Sequence, residues 1–278
     1  KFLLILNLLI LHFSMLFRST LLNNSKQLAK NALLLRNPNL FSMNESCDIN
    51  TFVGKNCVCS SDVNEKSTME ALMENNASWA KKITDKNPNY FKNQSKKHTP
   101  KFFFIGCSDA RLSIQEMLGL KMGEVFVHRN VGNQVLSTDL NFVSCLHYAV
   151  EYLKIENIIV CGHYDCGAVR AAATNKDHGI VQQWLAGIKD LAREHNEELF
   201  KIRDTEMYHR KLVELNVQKQ VLSLYASPIV QKSHSIKKQP FIHPIVLDIE
   251  TGLIHEVEID YQKLVDKFKH IYSMYDFV

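Results

Sequence analysis

The run Lys101-Phe102-Phe103-Phe104-Ile105-Gly106-Cys107-Ser108-Asp109-Ala110-Arg111 decides how the rest of the chain is read. Four bulky apolar residues ending at a glycine describe a buried strand that runs out into a loop. At its end stand a thiol, a carboxylate and a guanidinium, each two residues from the next. A second run, Ile158-Ile159-Val160-Cys161, also ends in glycine and continues as His163-Tyr164-Asp165-Cys166-Gly167. Two buried parallel strands bring Cys107, His163 and Cys166 to one edge of a sheet, where α/β proteins place their ligands. Two thiolates and one imidazole are a zinc set, here one ion per chain, and three protein ligands leave a fourth position for chemistry.

Each position has a physical reason. Cys166 lies where a helix is expected to start, so unpaired N–H groups and the helix dipole are expected to lower its thiol pKa. Alternate residues of an extended segment point the same way, which puts Cys107, Asp109 and Arg111 on one wall. Asp109 then has two options: it binds zinc as a fourth ligand, or it accepts a hydrogen bond from zinc-bound hydroxide and orients it. A bidentate Arg111 favours the second role and keeps the carboxyl pKa low. A water at such a site can fall from a pKa of 15.7 to about 7. Gly106 and Gly167 are read as substrate-side positions that allow close backbone approach to the ligand loops. Cys161 and Cys145 are assigned to the core, and Cys47, Cys57 and Cys59 to loop thiols. His128 and His147 lack ligand spacing and are read as surface or structural. Either motif alone is weak; the signal is their conjunction about fifty residues apart, each at the end of a strand-like run.

The 278 residues have a formal charge of +4, but its distribution matters more. Residues 1–44 hold Lys1, Arg18, Lys26, Lys30 and Arg36 and no acid, which leaves 28 basic and 29 acidic residues in 45–278. The folded part therefore lacks a basic nucleic-acid footprint, and no nucleic-acid partner is expected. Residues 1–44 are read as a targeting leader and 45–66 as a linker, followed by one domain over 67–278. The apolar run Phe2–Phe13 is too short and interrupted for a membrane span, and none is expected in the mature protein. Basic, acid-free sequence through Phe41 favours a mitochondrial presequence. A secretory signal, an anchor, or a cytoplasmic protein with a misplaced start stay open. Seven cysteines, two of them assigned to metal, argue against a disulfide framework and for a reducing compartment.

From Ser67 the chain becomes periodic. A helix is expected over 68–83, ending before Asn87-Pro88. Strands are expected at 102–106, 124–128 and 158–161, with helices at 114–118, 140–153 and 167–173. Helical patterns fill 180–222. Two strands, 241–249 and 253–259, flank the turn Glu250-Thr251-Gly252, and a helix over 260–274 closes the chain. The alternation implies an α/β fold, a central parallel β-sheet with flanking helices, plus an N-terminal helical arm.

Cys107-Ser-Asp-Ala-Arg111, Gly123-Glu-Val-Phe-Val-His-Arg-Asn-Val131 and Cys161-Gly-His-Tyr-Asp-Cys-Gly-Ala168 resemble the β-class carbonic anhydrases, particularly the branch of many bacteria and invertebrates. The likeness runs from about Met69 to Ile259. It implies zinc on Cys107, His163 and Cys166, with Asp109 and Arg111 as catalytic dyad. It also implies reversible hydration of CO₂ to bicarbonate and a proton, by zinc-bound hydroxide, in a homodimer or homotetramer. Two other readings differ in class. A structural zinc in a scaffold protein leaves Asp109 and Arg111 without a purpose, and a pocket for CS₂ or COS differs only in shape.

Some β-class enzymes hold bicarbonate at a second site formed by a Trp, an Arg and a Tyr, which favours the aspartate-on-zinc state. The resemblance puts Phe104, Arg129 and Leu247 at those positions, so two donors of three are missing and the switch is expected to be absent.

Overall fold

Phe102–Cys107 forms strand β1, and every other strand is placed by it. A computed structural model describes residues 68–261 together with 263, 266 and 269–271. The expected leader and linker, and most of the expected closing helix, lie outside the described residues.

The remaining strands are β2 (Val125–Asn130), β3 (Asn157–His163), β4 (Phe241–Leu247) and β5 (Ile254–Glu256). They form one sheet in the order β2-β1-β3-β4-β5. The first four are mutually parallel, with Gly106 opposite Arg129 on one side and Cys161 on the other. Phe103, Phe104 and Ile105 are completely buried, as are Ile158, Val160 and Cys161. Continuous apolar runs mark strands covered on both faces, which is the condition for a parallel sheet. β5 runs antiparallel to β4 and is three residues long, shorter than the expected 253–259. The turn between them closes through Gly252 N–H to Asp248 O at 2.8 Å, with Gly252 in the left-handed region at φ 70°.

Ten α-helices are described. α1 (Met69–Lys86) starts at Thr68, whose hydroxyl accepts from Ala71 N–H, and ends at Asn87 before Pro88. α2 (Tyr90–Gln94) precedes β1, α3 (Ile114–Leu118) follows it, and α4 (Leu140–His147) follows β2. The segment expected as one helix over 140–153 changes winding at Tyr148: residues Tyr148–Tyr152 form a π turn, with Leu153 N–H bonded to Tyr148 O. Beyond β3 come α5 (Gly167–Ala172), α6 (Val181–Trp184), α7 (Ala186–Glu194), α8 (Asn196–Leu199), α9 (Thr205–Tyr225) and α10 (Pro228–Lys237).

α9 is the principal cover of β3 and β4, burying Leu212, Val213, Val217, Val221 and Leu224. The contact is close enough that a Cβ at Gly162 would stand 2.7 Å from Val217 Cγ2. Glycine at 162 thus lets β3 approach α9, and β3 carries His163. α10 had no counterpart in the sequence reading, although Ser227-Pro228 is a start signal with proline in the first turn. α1 has no buried residue, and its Met69, Leu72, Met73 and Trp79 are exposed.

Candidate metal centre

β1 and β3 are adjacent and parallel, so their carboxyl ends deliver Cys107 and His163 side by side. Cys166 follows three residues later as the N-cap of α5. Ligand atoms of Cys107, His163 and Cys166 all lie within 4.8 Å of one another, and all three residues are buried. The two sulfurs are 3.9 Å apart. Two thiolates at about 2.3 Å from one tetrahedral zinc would stand about 3.8 Å apart.

The imidazole is oriented for the same purpose. Nδ1 of His163 lies 3.0 Å from Tyr164 O, and donation to that carbonyl leaves Nε2 as the unprotonated nitrogen. Nε2 is buried and has no hydrogen-bond partner. A buried lone pair without a partner costs free energy unless a ligand takes it. The donor set, its spacing and this orphaned nitrogen all fit zinc.

The two thiols perturb each other in opposite directions. Cys107 is driven well below the usual thiol range, first by the bond from Cys166 and further by His163 and the Gly132 N–H. Cys166 is pushed well above it, by its bond to Cys107 and by burial. At Cys166 the N–H groups of Ala168 and Val169 act in the expected lowering direction, opposed by the neighbouring Cys107 and by burial. A cation at the site removes the conflict by stabilising both thiolates.

Asp109 and Arg111 meet, by a different geometry from the expected one. The strand ends at Cys107 and residues 109–112 form a turn, with Leu112 N–H bonded to Asp109 O at 3.1 Å. Extended alternation thus does not align the wall. Instead the Asp109 carboxylate accepts Arg111 N–H and Nε–H on Oδ1, each at 3.0 Å, and Nη2 on Oδ2 at 2.7 Å. This grip, with Arg111's side chain the largest contribution, holds the Asp109 pKa down at about 2 against the opposing effect of burial. Oδ2 is 3.9 Å from His163 Nε2, so the carboxylate borders the ligand cluster while remaining on Arg111.

The surroundings of the two glycines differ. A Cβ at Gly106 would collide with the Phe104 ring at 2.3 Å, and one at Gly167 would meet nothing within 4 Å. Ring packing accounts for the glycine at 106, and position 167 is open on its side-chain side. Cys161 is fully buried, its thiol pushed up to about 12 by burial, and it bonds to Gly162 O. Cys145 is half-buried on α4. His128 is buried and bonded to Asn130, outside the cluster.

The sequence reading missed two supports. Arg129 on β2 donates to Cys107 O at 2.7 Å and to Asp109 O at 2.5 Å, fixing the backbone of the β1 loop. Asp165 accepts from Arg111 and has φ 57°. Position 165, between two ligands, was the available signal for the second.

Known proteins bear on this arrangement. The carbonic anhydrase family matches residues 102–254. A carbonic anhydrase of Emericella nidulans is 37% identical over 209 residues, 75% of this chain and 92% of that protein. Among solved structures, a tetrameric β-carbonic anhydrase of Sordaria macrospora has a TM-score of 0.67 at 31% identity, covering 70% of this chain and 98% of that one. The Coccomyxa β-carbonic anhydrase in complex with acetazolamide has a TM-score of 0.65 at 37% identity, covering 69% and 87%. With the sheet, the Cys-His-Cys cluster and these likenesses together, this chain belongs to the β-class carbonic anhydrase family.

Proposed function

We propose that this chain catalyses the reversible hydration of CO₂ to bicarbonate and a proton, with one zinc ion held by Cys107, His163 and Cys166. The observation that carries the reading is the orphaned His163 Nε2 beside two thiols and an Arg-held carboxylate. When bound, zinc supplies Lewis-acid activation of a water, which brings that water's pKa to about 7. Asp109 accepts a hydrogen bond from the attacking oxygen and turns its lone pair toward the carbon. It does so as an anion, because its pKa of about 2 keeps it ionised across the working range. Arg111 fixes the carboxylate and stays protonated, its own pKa raised by Asp109 first and by Asp165. Near-complete burial of the three candidate ligands suits a small substrate.

Assignment to the bacterial and invertebrate branch rests on the motif strings alone. Self-association as a dimer or tetramer is supported by the exposed apolar residues of α1 and by the open edge of β2. Among the described residues no helix is long and apolar enough to cross a membrane. The mitochondrial address rests on the composition of residues 1–44 and is tested by fusing them to a reporter: delivery to mitochondria supports it, glycosylation at Asn76 or Asn93 of the whole chain overturns it.

The deciding experiment is stopped-flow CO₂ hydration by zinc-loaded protein lacking residues 1–65. Turnover in both directions across pH 7–9 is expected; its absence with zinc bound removes the reading.

A further inference from the structure

Asp109 and Arg111 sit two residues apart in one turn, so their mutual bonds fix them to each other and not to the ligands. Two of the three candidate ligands, His163 at the end of β3 and Cys166 at the cap of α5, flank the other loop. One side chain joins the two loops at this point. Arg111 donates Nη1 to Asp165 Oδ2 at 2.9 Å and Nη2 to Asp165 O at 3.1 Å. Asp165 is itself held from outside, because Arg170 Nε donates to its Oδ1 at 2.8 Å. Arg170 in turn reaches α9, through Nη2 to Glu206 at 2.5 Å and Nη1 to His209 Nδ1 at 2.9 Å. Charges alternate along this line: Asp109, Arg111, Asp165, Arg170, Glu206.

Resting on the function proposed above, we propose that Asp165 is a positioning residue for CO₂ hydration, acting through Arg111 to set the Asp109 carboxylate against the zinc ligands. Its backbone is shaped for the task. A non-glycine residue at φ 57° is uncommon, and aspartate is one of the few that tolerates it. That conformation turns both the carboxylate and the carbonyl of Asp165 onto one guanidinium. Fold stability does not account for the arrangement, since Arg111 and Asp165 are each close to half exposed and such pairs stabilise little. Geometry does account for it: one end of the line is the carboxylate that orients the attacking oxygen, and the other is a turn of the helix that covers the sheet. A misplacement of about 1 Å in such a group costs up to about a hundredfold in rate.

The test uses Asp165→Gly, because glycine keeps φ 57° without strain and removes only the carboxylate, and Asp165→Asn, which keeps an acceptor at the same place. Zinc content and melting temperature of both are expected to match the parent. In Asp165→Gly, kcat is expected to fall about ten- to a hundredfold with KM changed by less than about twofold, and Asp165→Asn to recover most of the loss. In an Arg111→Ala background the same Asp165→Gly change is expected to cost nothing further. A second readout does not depend on turnover: with ¹⁵N-arginine, the Arg111 Nε–H resonance is sharp and slowly exchanging in the parent, broadened in Asp165→Gly and restored in Asp165→Asn. Unchanged Arg111 Nε–H exchange in Asp165→Gly, or an equal loss of kcat with and without Arg111, overturns the proposal. A zinc-loaded parent without CO₂ hydration overturns the proposed function instead, and the resonance still decides the tie.

Discussion

Nδ1 of His163 is tied to the backbone oxygen of the next residue, Tyr164, at 3.0 Å, and this one bond decides which face of the ring is free. The carbonyl is itself in place because Tyr164 N–H bonds to Leu247 O on β4, at 2.9 Å. Sheet and ligand tautomer are therefore fixed by the same backbone. About one zinc per chain is expected by elemental analysis, and Cys107→Ser, His163→Ala and Cys166→Ser are each expected to lose most of it. Chelation is expected to lower the melting temperature, since metal bound to the native state at a thousand times its Kd contributes about 4 kcal/mol. Full zinc in the Cys166 variant would refute this ligand set. Cys161 is a poor substitute, its thiol buried on the strand and pushed up to about 12.

Arg111 grips the Asp109 carboxylate, and the proposed dyad sets what a change at either residue does. Asp109→Asn keeps the volume but puts an NH₂ donor where Oδ2 accepts from Arg111 Nη2, so kcat is expected to fall by about 10² or more with zinc retained. Arg111→Ala is expected to act in the same direction, by releasing the carboxylate. The sign of the pH effect on stability follows from the folded pKa of about 2, below an unfolded value of about 3.9. The stabilisation is complete above the unfolded value and is lost as pH falls through the folded one. Melting temperatures of zinc-free protein between pH 5 and 2 are expected to drop less steeply in Asp109→Asn than in the parent. Equal slopes, or near-normal turnover in either variant, would count against the assigned roles.

Strands were legible because burial on both faces leaves only apolar residues between their ends, as in Phe102–Ile105 and Ile158–Cys161. The cluster of Cys107, His163 and Cys166 was legible because metal chemistry restricts the residue types expected at those ends. What pairs Asp109 with Arg111 was not, because a turn and an extended segment both bring residues two apart into reach. Asp165 was invisible for a related reason: its partner is 54 residues away, and its left-handed backbone has no marker as strong as a glycine. The opposing influence on Cys166 was not legible, because a helix N-terminus is local and readable, whereas the Cys107 sulfur 3.9 Å away belongs to another strand. α10 went unread although Ser227-Pro228 announces it, since its polar residues show no clear apolar face.

α1 leaves Met69, Leu72, Met73 and Trp79 in solvent, and a helix with no buried residue gains little from packing on its own chain. Trp79 does touch Phe91, at 5.4 Å between ring centroids, so α1 and α2 form a small aromatic joint. A second copy that covers α1 would bury this surface, and a dimer or tetramer is expected in sedimentation. Trp79→Ser with Leu72→Ser is expected to weaken assembly at fixed protein concentration. A fully active monomer by sedimentation and assay at matched concentration would sink the expectation.

The residues facing the carboxyl end of β1 bear on regulation by bicarbonate. A buried anion site there needs donors. Arg129 has its Nε and Nη2 committed to Cys107 O and Asp109 O. Phe104 is fully buried with no polar atom, and its ring occupies the space that Gly106 leaves open. Leu247 is buried on β4 opposite His163 and offers no hydroxyl. Two absent charge-assisted bonds, at about 1.5–3 kcal/mol each, remove most of what would hold the ion. Asp109 also sits on Arg111, bonded at Oδ2 by Nη2. Bicarbonate is therefore expected not to switch the enzyme off through this pocket, and the pH–rate profile is expected to fall gradually below pH 8 with an ordinary single-proton slope. Phe104→Trp combined with Leu247→Tyr restores the missing donors and is expected to introduce bicarbonate sensitivity. A steep, cooperative loss of activity below pH 8 in the parent, steepened further by added bicarbonate, would show that other residues supply the switch. So would a structure at neutral pH with the Asp109 carboxylate within about 2.2 Å of zinc.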